Sequence, residues 1–191
     1  MSDRDALLAL LEERSVAYRP VVLVSGKTSN FYVDCRQTAL SGAGHLLIGR
    51  EFLRVIEAEE ARRGKRFDAV AGMTLGGDPL VSAVSLTAAL AGREFPALIV
   101  RKEAKGHGTG RVVEGDACLG EALDCAVLED VITTGGSTLK AVDHLAHHGH
   151  RAGGVFVLVD REEGGRQAIE ARNLSVHALY ARSDFSGGTD A

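Results

Sequence analysis

Apolar runs and polar, glycine-rich breaks follow one another along the whole chain. Ala6, Leu7, Leu10 and Leu11 recur at helical spacing and predict a short amphipathic opening helix. Val21 to Val24 is an apolar run of strand type. Ser25-Gly26-Lys27-Thr28-Ser29-Asn30 is turn chemistry and Phe31-Tyr32-Val33 returns to strand composition, so residues 21–33 read as a hairpin. Ser41 stands where it would cap a long helix running through Leu46, Phe52, Leu53 and Ile56 and ending near Gly64.

Beyond Gly64 the pattern becomes a strand–helix alternation. Ala69-Val70-Ala71 is a strand, Gly72 to Asp78 a loop, and Pro79 to Leu90 a helix of small residues with proline in its first turn. Ala97-Leu98-Ile99-Val100 is a strand leading into the polar stretch Arg101 to Gly115. Cys125 to Leu128 is a strand, Thr133 to Ser137 a loop, and Leu139, Val142 and Leu145 mark the next helix. Val155 to Val159, a helix around Ala168 and the strand Val176 to Leu179 complete the series, and the tail from Ser186 to Ala191 is expected to fray. All-apolar strands alternating with helices predict a mainly parallel sheet covered on both faces, with ligands at the carboxyl ends of its strands.

Composition narrows the class. A length of 191 residues fits one domain, and 45% hydrophobic residues supply its core. The net charge of −4 makes a poor non-specific binder of nucleic acid, so any phosphate-binding charge must be concentrated locally. No apolar run is long enough to span a bilayer, and the acidic start Met1-Ser2-Asp3-Arg4-Asp5 does not read as a signal peptide. Cys35, Cys118 and Cys125 form no Cys-x-x-Cys pair and read as reduced thiols of a cytoplasmic protein.

The strongest chemical signal is Val127-Leu128-Glu129-Asp130-Val131-Ile132-Thr133-Thr134-Gly135-Gly136-Ser137-Thr138. A strand delivers two adjacent carboxylates, and a loop of small residues opens a helix. Glycines let backbone N–H groups converge on an anion, the helix start adds a favourable field, and the hydroxyls add donors. No Gly-Lys-Ser/Thr occurs there, so it is not a Walker loop, nor is it the dinucleotide fingerprint. Carboxylates beside a phosphate make sense if they face another part of the ligand, such as a ribose diol or a magnesium ion bound to it. The bland reading is an ordinary strand–turn–helix connection with solvated acids. The second signal is Arg101-Lys102-Glu103-Ala104-Lys105-Gly106-His107-Gly108-Thr109-Gly110, where basic groups alternate with glycines directly after a strand. Alone it would be a solvated loop. At the same sheet edge as a phosphate cup it reads as a lid for a polyanion.

These two segments resemble the phosphoribosyl pyrophosphate motif and the catalytic loop of the orotate phosphoribosyltransferases, whose relatives read Arg-Lys-Glu-Ala-Lys-x-His-Gly in the loop. The resemblance covers nearly the whole chain, from the hairpin to Arg161. It implies an α/β protein of the type I phosphoribosyltransferase fold: a central, mainly parallel sheet flanked by helices, with a small N-terminal hood. Residues 1–191 would form a single domain, with the hood at about 1–40 and the core at about 65–180. Glu129 and Asp130 would hold the ribose hydroxyls, and through them Mg2+. Val131, Ile132, Thr133, Thr134, Gly135, Gly136 and Ser137 would wrap the 5′-phosphate. Arg101, Lys102, Lys105 and His107 would meet the pyrophosphate, with Lys105, His107 and Asp130 catalytic. In the family part of this lid comes from the neighbouring subunit of a dimer.

Further resemblances are local. Ser25-Gly26-Lys27-Thr28-Ser29-Asn30-Phe31-Tyr32 is similar to the family's hairpin, which packs an aromatic at the base pocket. Many relatives carry a lysine just before Ser-Gly. Here Val24 stands there and Lys27 is the nearest cation. Thr74-Leu75-Gly76-Gly77-Asp78 follows a strand and offers backbone amides to pyrophosphate, or simply starts a helix. Arg161, after Asp160, corresponds to an arginine placed on the orotate carboxylate, so the orotate site would comprise Lys27, Tyr32, Thr133 and Arg161. His144, His147, His148 and His150 cluster at near-helical spacing, but with no acid or cysteine to complete a metal site they read as a solvated helix end. The alternatives are a purine phosphoribosyltransferase, not expected to share the lid, and a non-catalytic regulator on the same fold, expected to lose the lid's cations.

Overall fold

The structure, a computed structural model, describes residues 1–22, 28–103 and 111–185, without the side chains of residues 20–22, 28 and 29. Helix α1 (Asp3–Arg14) begins at Ser2, whose hydroxyl accepts the Asp5 N–H while the Asp5 carboxylate accepts the Ser2 N–H, both at 3.1 Å. This reciprocal cap satisfies donors that a helix start would otherwise leave unpaired. Strands β1 (Val16–Val22) and β2 (Thr28–Val33) form the expected antiparallel hairpin, followed by one short turn of helix, α2 (Arg36–Ala39). Helix α3 (Gly42–Arg63) runs from the Ser41 cap to Gly64, which closes it at φ 66°, a conformation that favours glycine.

The main sheet comprises β3 (Ala69–Met73), β4 (Ala97–Val100), β5 (Val113–Glu114), β6 (Asp124–Ile132), β7 (Arg151–Asp160) and β8 (Val176–Ala181) in the order β5-β4-β3-β6-β7-β8. All neighbours are parallel except the edge pair β4–β5. Helices α4 (Gly77–Leu90), α5 (Gly136–His147) and α6 (Gly165–Glu170) connect the strands.

Side chains alternate across a strand, and this divides the core in two. Val70, Ala126, Leu128, Phe156 and Leu158 face one cluster with Leu7, Leu11, Ile48, Phe52 and Leu80 from α1, α3 and α4. Ala69, Ala71, Cys125, Val127 and Val157 face the other with Ala141, Leu145 and Ile169 from α5 and α6. Each fully buried large apolar side chain contributes about 1.5–3 kcal/mol of transfer free energy, so the sheet's carboxyl edge rests on a rigid base.

Several boundaries differ from the sequence reading. The hairpin's first strand starts at Val16, because Val16 and Ala17 pair with Val33 and Tyr32, carrying the ladder past Arg19 and Pro20, which break the apolar run in the sequence. The loop expected from Gly72 to Asp78 is shorter: β3 continues to Met73 and α4 starts at Gly77. Strands β6 and β7 extend at both ends beyond their apolar centres. Helix α2 and strand β5 were not predicted, being too short to show a period.

Candidate active site

Strand β6 carries Glu129 and Asp130 to the carboxyl edge, and alternation sends them to opposite sides. Glu129 leans toward α5. Its Oε2 accepts from the Ser137 hydroxyl at 3.0 Å and the Thr138 hydroxyl at 2.6 Å. Asp130 lies toward the hood and α4, where a Cβ on Gly76 would fall 2.6 Å from its carboxylate atoms. Its Oδ1 accepts the Val131 N–H at 2.9 Å. Burial pushes the Glu129 carboxyl up to about 7, with the Asp130 charge adding and the two hydroxyls opposing. Burial raises Asp130 as well, against the Val131 N–H and the charge of Arg36. A carboxyl pair that shares a hydrogen bond at this edge suits a ligand with paired hydroxyls or a cation that would take the proton's place.

Next to the acids, Gly135 opens α5 with φ 81°, and no side chain caps the helix. Its first backbone N–H groups therefore lack a side-chain partner, which makes an anion cup. Of the residues expected to wrap a phosphate, Thr134, Gly136 and Ser137 are exposed, Val131 and Thr133 half-buried, and Gly135 and Ile132 buried. The Ile132 side chain belongs to the core, so only its backbone is available to a ligand.

A cleft of about 370 Å³ joins these parts, lined among others by Tyr32, Thr74, Gly76, Lys102, Thr133 and Arg161. The adjacent hairpin aromatics divide. Tyr32 faces the cleft, whereas Phe31 is 1% exposed and packs on Phe185, with ring centroids 5.6 Å apart. Phe31 is thus a core residue and not a stacking surface for a base. Arg161 reaches the cleft but is buried and engaged: Nε donates to Glu163 Oε1 at 2.9 Å and Nη2 to the Phe31 carbonyl at 3.0 Å. It therefore fixes the hood's distance from the sheet as well as offering charge. Lys102 lines the cleft, while Arg101 pairs with Glu114 at 3.5 Å. Lys27, Lys105 and His107 lie outside the described residues.

The four histidines go to separate partners: His144 to the Arg101 carbonyl, His147 to the Asp143 carbonyl, His148 to the His144 carbonyl, and His150 to Asp116. Sequence reading passed over Asp34, Arg36 and Glu163. Asp34 accepts the Arg36 N–H at 3.2 Å and its guanidinium at 2.8 and 3.0 Å. An aspartate two residues before its partner at the end of a strand is a local turn signal that would have drawn attention to it.

A hooded, mainly parallel sheet that presents paired acids beside an uncapped helix start defines a phosphoribosyltransferase of the type I fold. A phosphoribosyltransferase from Corynebacterium diphtheriae superposes with a TM-score of 0.78 at 36% identity, covering 96% of this chain and 98% of that one. No family model matches the chain. Its sequence is 52% identical over 184 residues to the orotate phosphoribosyltransferase of Sorangium cellulosum, covering 96% of this chain and 93% of that protein. The chain belongs to the orotate phosphoribosyltransferase family. The Mycobacterium tuberculosis orotate phosphoribosyltransferase, solved in complex with 5-phospho-alpha-D-ribosyl 1-diphosphate, superposes with a TM-score of 0.73 at 33% identity, covering 96% of this chain and 98% of that one.

Proposed function

We propose that the chain transfers the phosphoribosyl group of phosphoribosyl pyrophosphate to orotate, giving orotidine 5′-phosphate and pyrophosphate in pyrimidine biosynthesis. The observation that carries this reading is the Glu129–Asp130 pair beside the uncapped start of α5, in a chain matched over nearly its full length by orotate phosphoribosyltransferases. The bond from ribose C1 to the pyrophosphate oxygen breaks, a bond from C1 to an orotate ring nitrogen forms, and the nitrogen's proton leaves to solvent or base. The sugar passes through an oxocarbenium-like state while charge grows on the leaving group.

The residues take their roles from that charge flow. The cup from Val131 to Ser137 receives the 5′-phosphate, and Glu129 and Asp130 accept from the ribose hydroxyls. Lys102 at the cleft mouth, with Arg101, Lys105 and His107, stabilises the leaving pyrophosphate and excludes water. Tyr32, Thr133 and Arg161, with Lys27, receive orotate. The Arg161 charge, held in place by Glu163 and the Phe31 carbonyl, favours a base that carries a carboxylate, which separates orotate from uracil.

The described residues hold no cluster of three or more metal-ligating side chains. Glu129 accepts from two hydroxyls, Asp130 accepts a backbone N–H, and the two carboxyls also hydrogen-bond to each other, a shared proton that a bound ion or ribose diol would displace. That donor set fits a Mg2+ held mostly by the donor's own oxygens, the usual habit of this ion. When bound, the ion would neutralise part of the pyrophosphate charge.

The unit would be one domain, residues 1–191, working as a cytoplasmic homodimer with a shared lid. Two features support the dimer. Arg101 turns to Glu114 instead of into its own cleft. Leu40, Leu46, Leu86 and Leu90 are exposed around a groove between α3 and α4, an apolar surface suited to burial. Neither nucleic acid nor membrane is part of this reading; no helix among the described residues is long and apolar enough to cross a membrane.

The test is a base panel. Purified protein with phosphoribosyl pyrophosphate and magnesium should consume orotate, followed by its absorbance, with little or no turnover of uracil, adenine, guanine or hypoxanthine. Adenine or hypoxanthine outperforming orotate would sink the assignment.

A further inference from the structure

We infer that Arg36, a hood-side residue, is a further donor-binding group of this site, contacting the pyrophosphate end of phosphoribosyl pyrophosphate. The inference rests on the donor named in the proposed function and adds a contact that the motifs do not announce.

The site has a direction. Glu129 faces Ser137 and Thr138 at the start of α5, the phosphate cup. Asp130 faces the other way, against Gly76 in the loop between β3 and α4. A ribose whose 5′-phosphate sits in the cup and whose hydroxyls sit on the two acids therefore sends its C1 substituent toward Thr74, Leu75 and Gly76. That loop carries no cation, and the Thr74 hydroxyl is already spent on Asp78 Oδ2 at 2.8 Å. It can offer backbone amides and no charge. The same cleft also contains Asp34, Glu129 and Asp130. A multiply charged pyrophosphate entering beside these acids needs a fixed cation on that side.

Arg36 stands there. It lines the cleft together with Leu75, Gly76 and Asp130. The hydrogen bonds of Asp34, and more weakly the charge of Asp130, raise its guanidinium above the ordinary arginine value. Asp34 grips Nε and Nη2 at 2.8 and 3.0 Å, which fixes the plane of the fork. Nη1 has no hydrogen-bond partner among the described residues, and the side chain is 47% exposed. A guanidinium oriented on one edge and open on another is preorganised for a phosphate oxygen. The cleft's other described cations serve differently: Arg161 is committed to Glu163 and the Phe31 carbonyl. Lys102 is exposed, with neither a hydrogen bond nor an ion pair among the described residues to fix its position.

A purely structural role for the Asp34–Arg36 pair, as a clasp on the turn before α2, makes a different forecast, so the two can be separated. Magnesium-loaded wild type, Arg36→Met and Arg36→Lys would be titrated by calorimetry with three probes: phosphoribosyl pyrophosphate, inorganic pyrophosphate and ribose 5-phosphate. Thermal melts would check that each variant folds. Arg36→Met should weaken the first two probes by roughly 10- to 100-fold, the loss expected for a charged hydrogen bond. Ribose 5-phosphate should stay within about twofold, and Arg36→Lys should recover part of the loss. Unchanged binding of both pyrophosphate probes overturns the inference. So does an equal weakening of ribose 5-phosphate, which would mean that α2 has simply moved. If wild type binds the donor tightly and Arg36→Met binds it equally well, only the Arg36 inference fails. If wild type does not bind the donor at all, the proposed function fails and takes the inference with it.

Discussion

Glu129 and Asp130 are neighbours in sequence and leave the strand on opposite faces, yet their carboxyl groups hydrogen-bond to each other at the sheet edge. Holding them there costs stability. Because burial raises Glu129 to about 7 from its ordinary 4.5, the folded state binds its proton more tightly than the unfolded chain does. This group's contribution is therefore fully present below about 4.5 and lost as pH rises through about 7. Glu129→Gln keeps a carbonyl oxygen for the Ser137 and Thr138 hydroxyls but removes the buried charge. In ligand-free melts it should gain on the order of 5 °C over wild type at pH 8, with the gap closing toward pH 5. A constant offset across that range would show that Glu129 is not held at a raised value. The same variant should lose donor affinity at pH 8, since a neutral amide is a weaker partner for ribose hydroxyls.

At the scale of elements, the site depends on how closely the turn before α4 approaches β6. Gly76 has φ −61°, which alanine adopts freely, so backbone strain is not at issue there. Its added methyl would instead meet the Asp130 carboxylate at 2.6 Å. That carboxylate ends a short side chain that can swing aside at little cost to the fold. Gly76→Ala is therefore expected to melt within a few degrees of wild type while binding phosphoribosyl pyrophosphate at least about tenfold more weakly, the loss of one charged hydrogen bond. Calorimetric titration beside a melt checks both halves. Unchanged donor binding would mean that Asp130 does not hold the ribose.

For the whole molecule, the question is whether one chain completes its own site. The cup, the acids and the hood come from one chain around one cleft. The lid's inner part, with Lys105 and His107, lies outside the described residues, and its first residue, Arg101, pairs with Glu114. A lid serving the partner's site predicts complementation. Lys105→Ala and Asp130→Ala chains should each lose turnover by orders of magnitude, since charge contacts made in the transition state are often worth ~3 kcal/mol. Mixed together under subunit exchange they should regain part of it, because one hybrid site receives both intact pieces. No rescue despite verified exchange would argue that each lid closes on its own chain.

The sequence by itself determined the order and kind of nearly all the elements, the adjacent acids ahead of the glycine turn into α5, and the capped span from Ser41 to Gly64. These are local properties: apolar period, turn chemistry and helix caps act over a few residues and are written where they act. Tertiary structure alone decided what meets across the chain. It brought β3 beside β6, Gly76 against Asp130, and the Arg161 guanidinium onto the Phe31 carbonyl, 130 residues away. It also put Phe31 in the core with Tyr32 at the cleft, and set Arg36 beside the acids. A residue's period tells which face it takes, but which element covers that face follows from packing both sides of the sheet at once. No window of sequence contains that information.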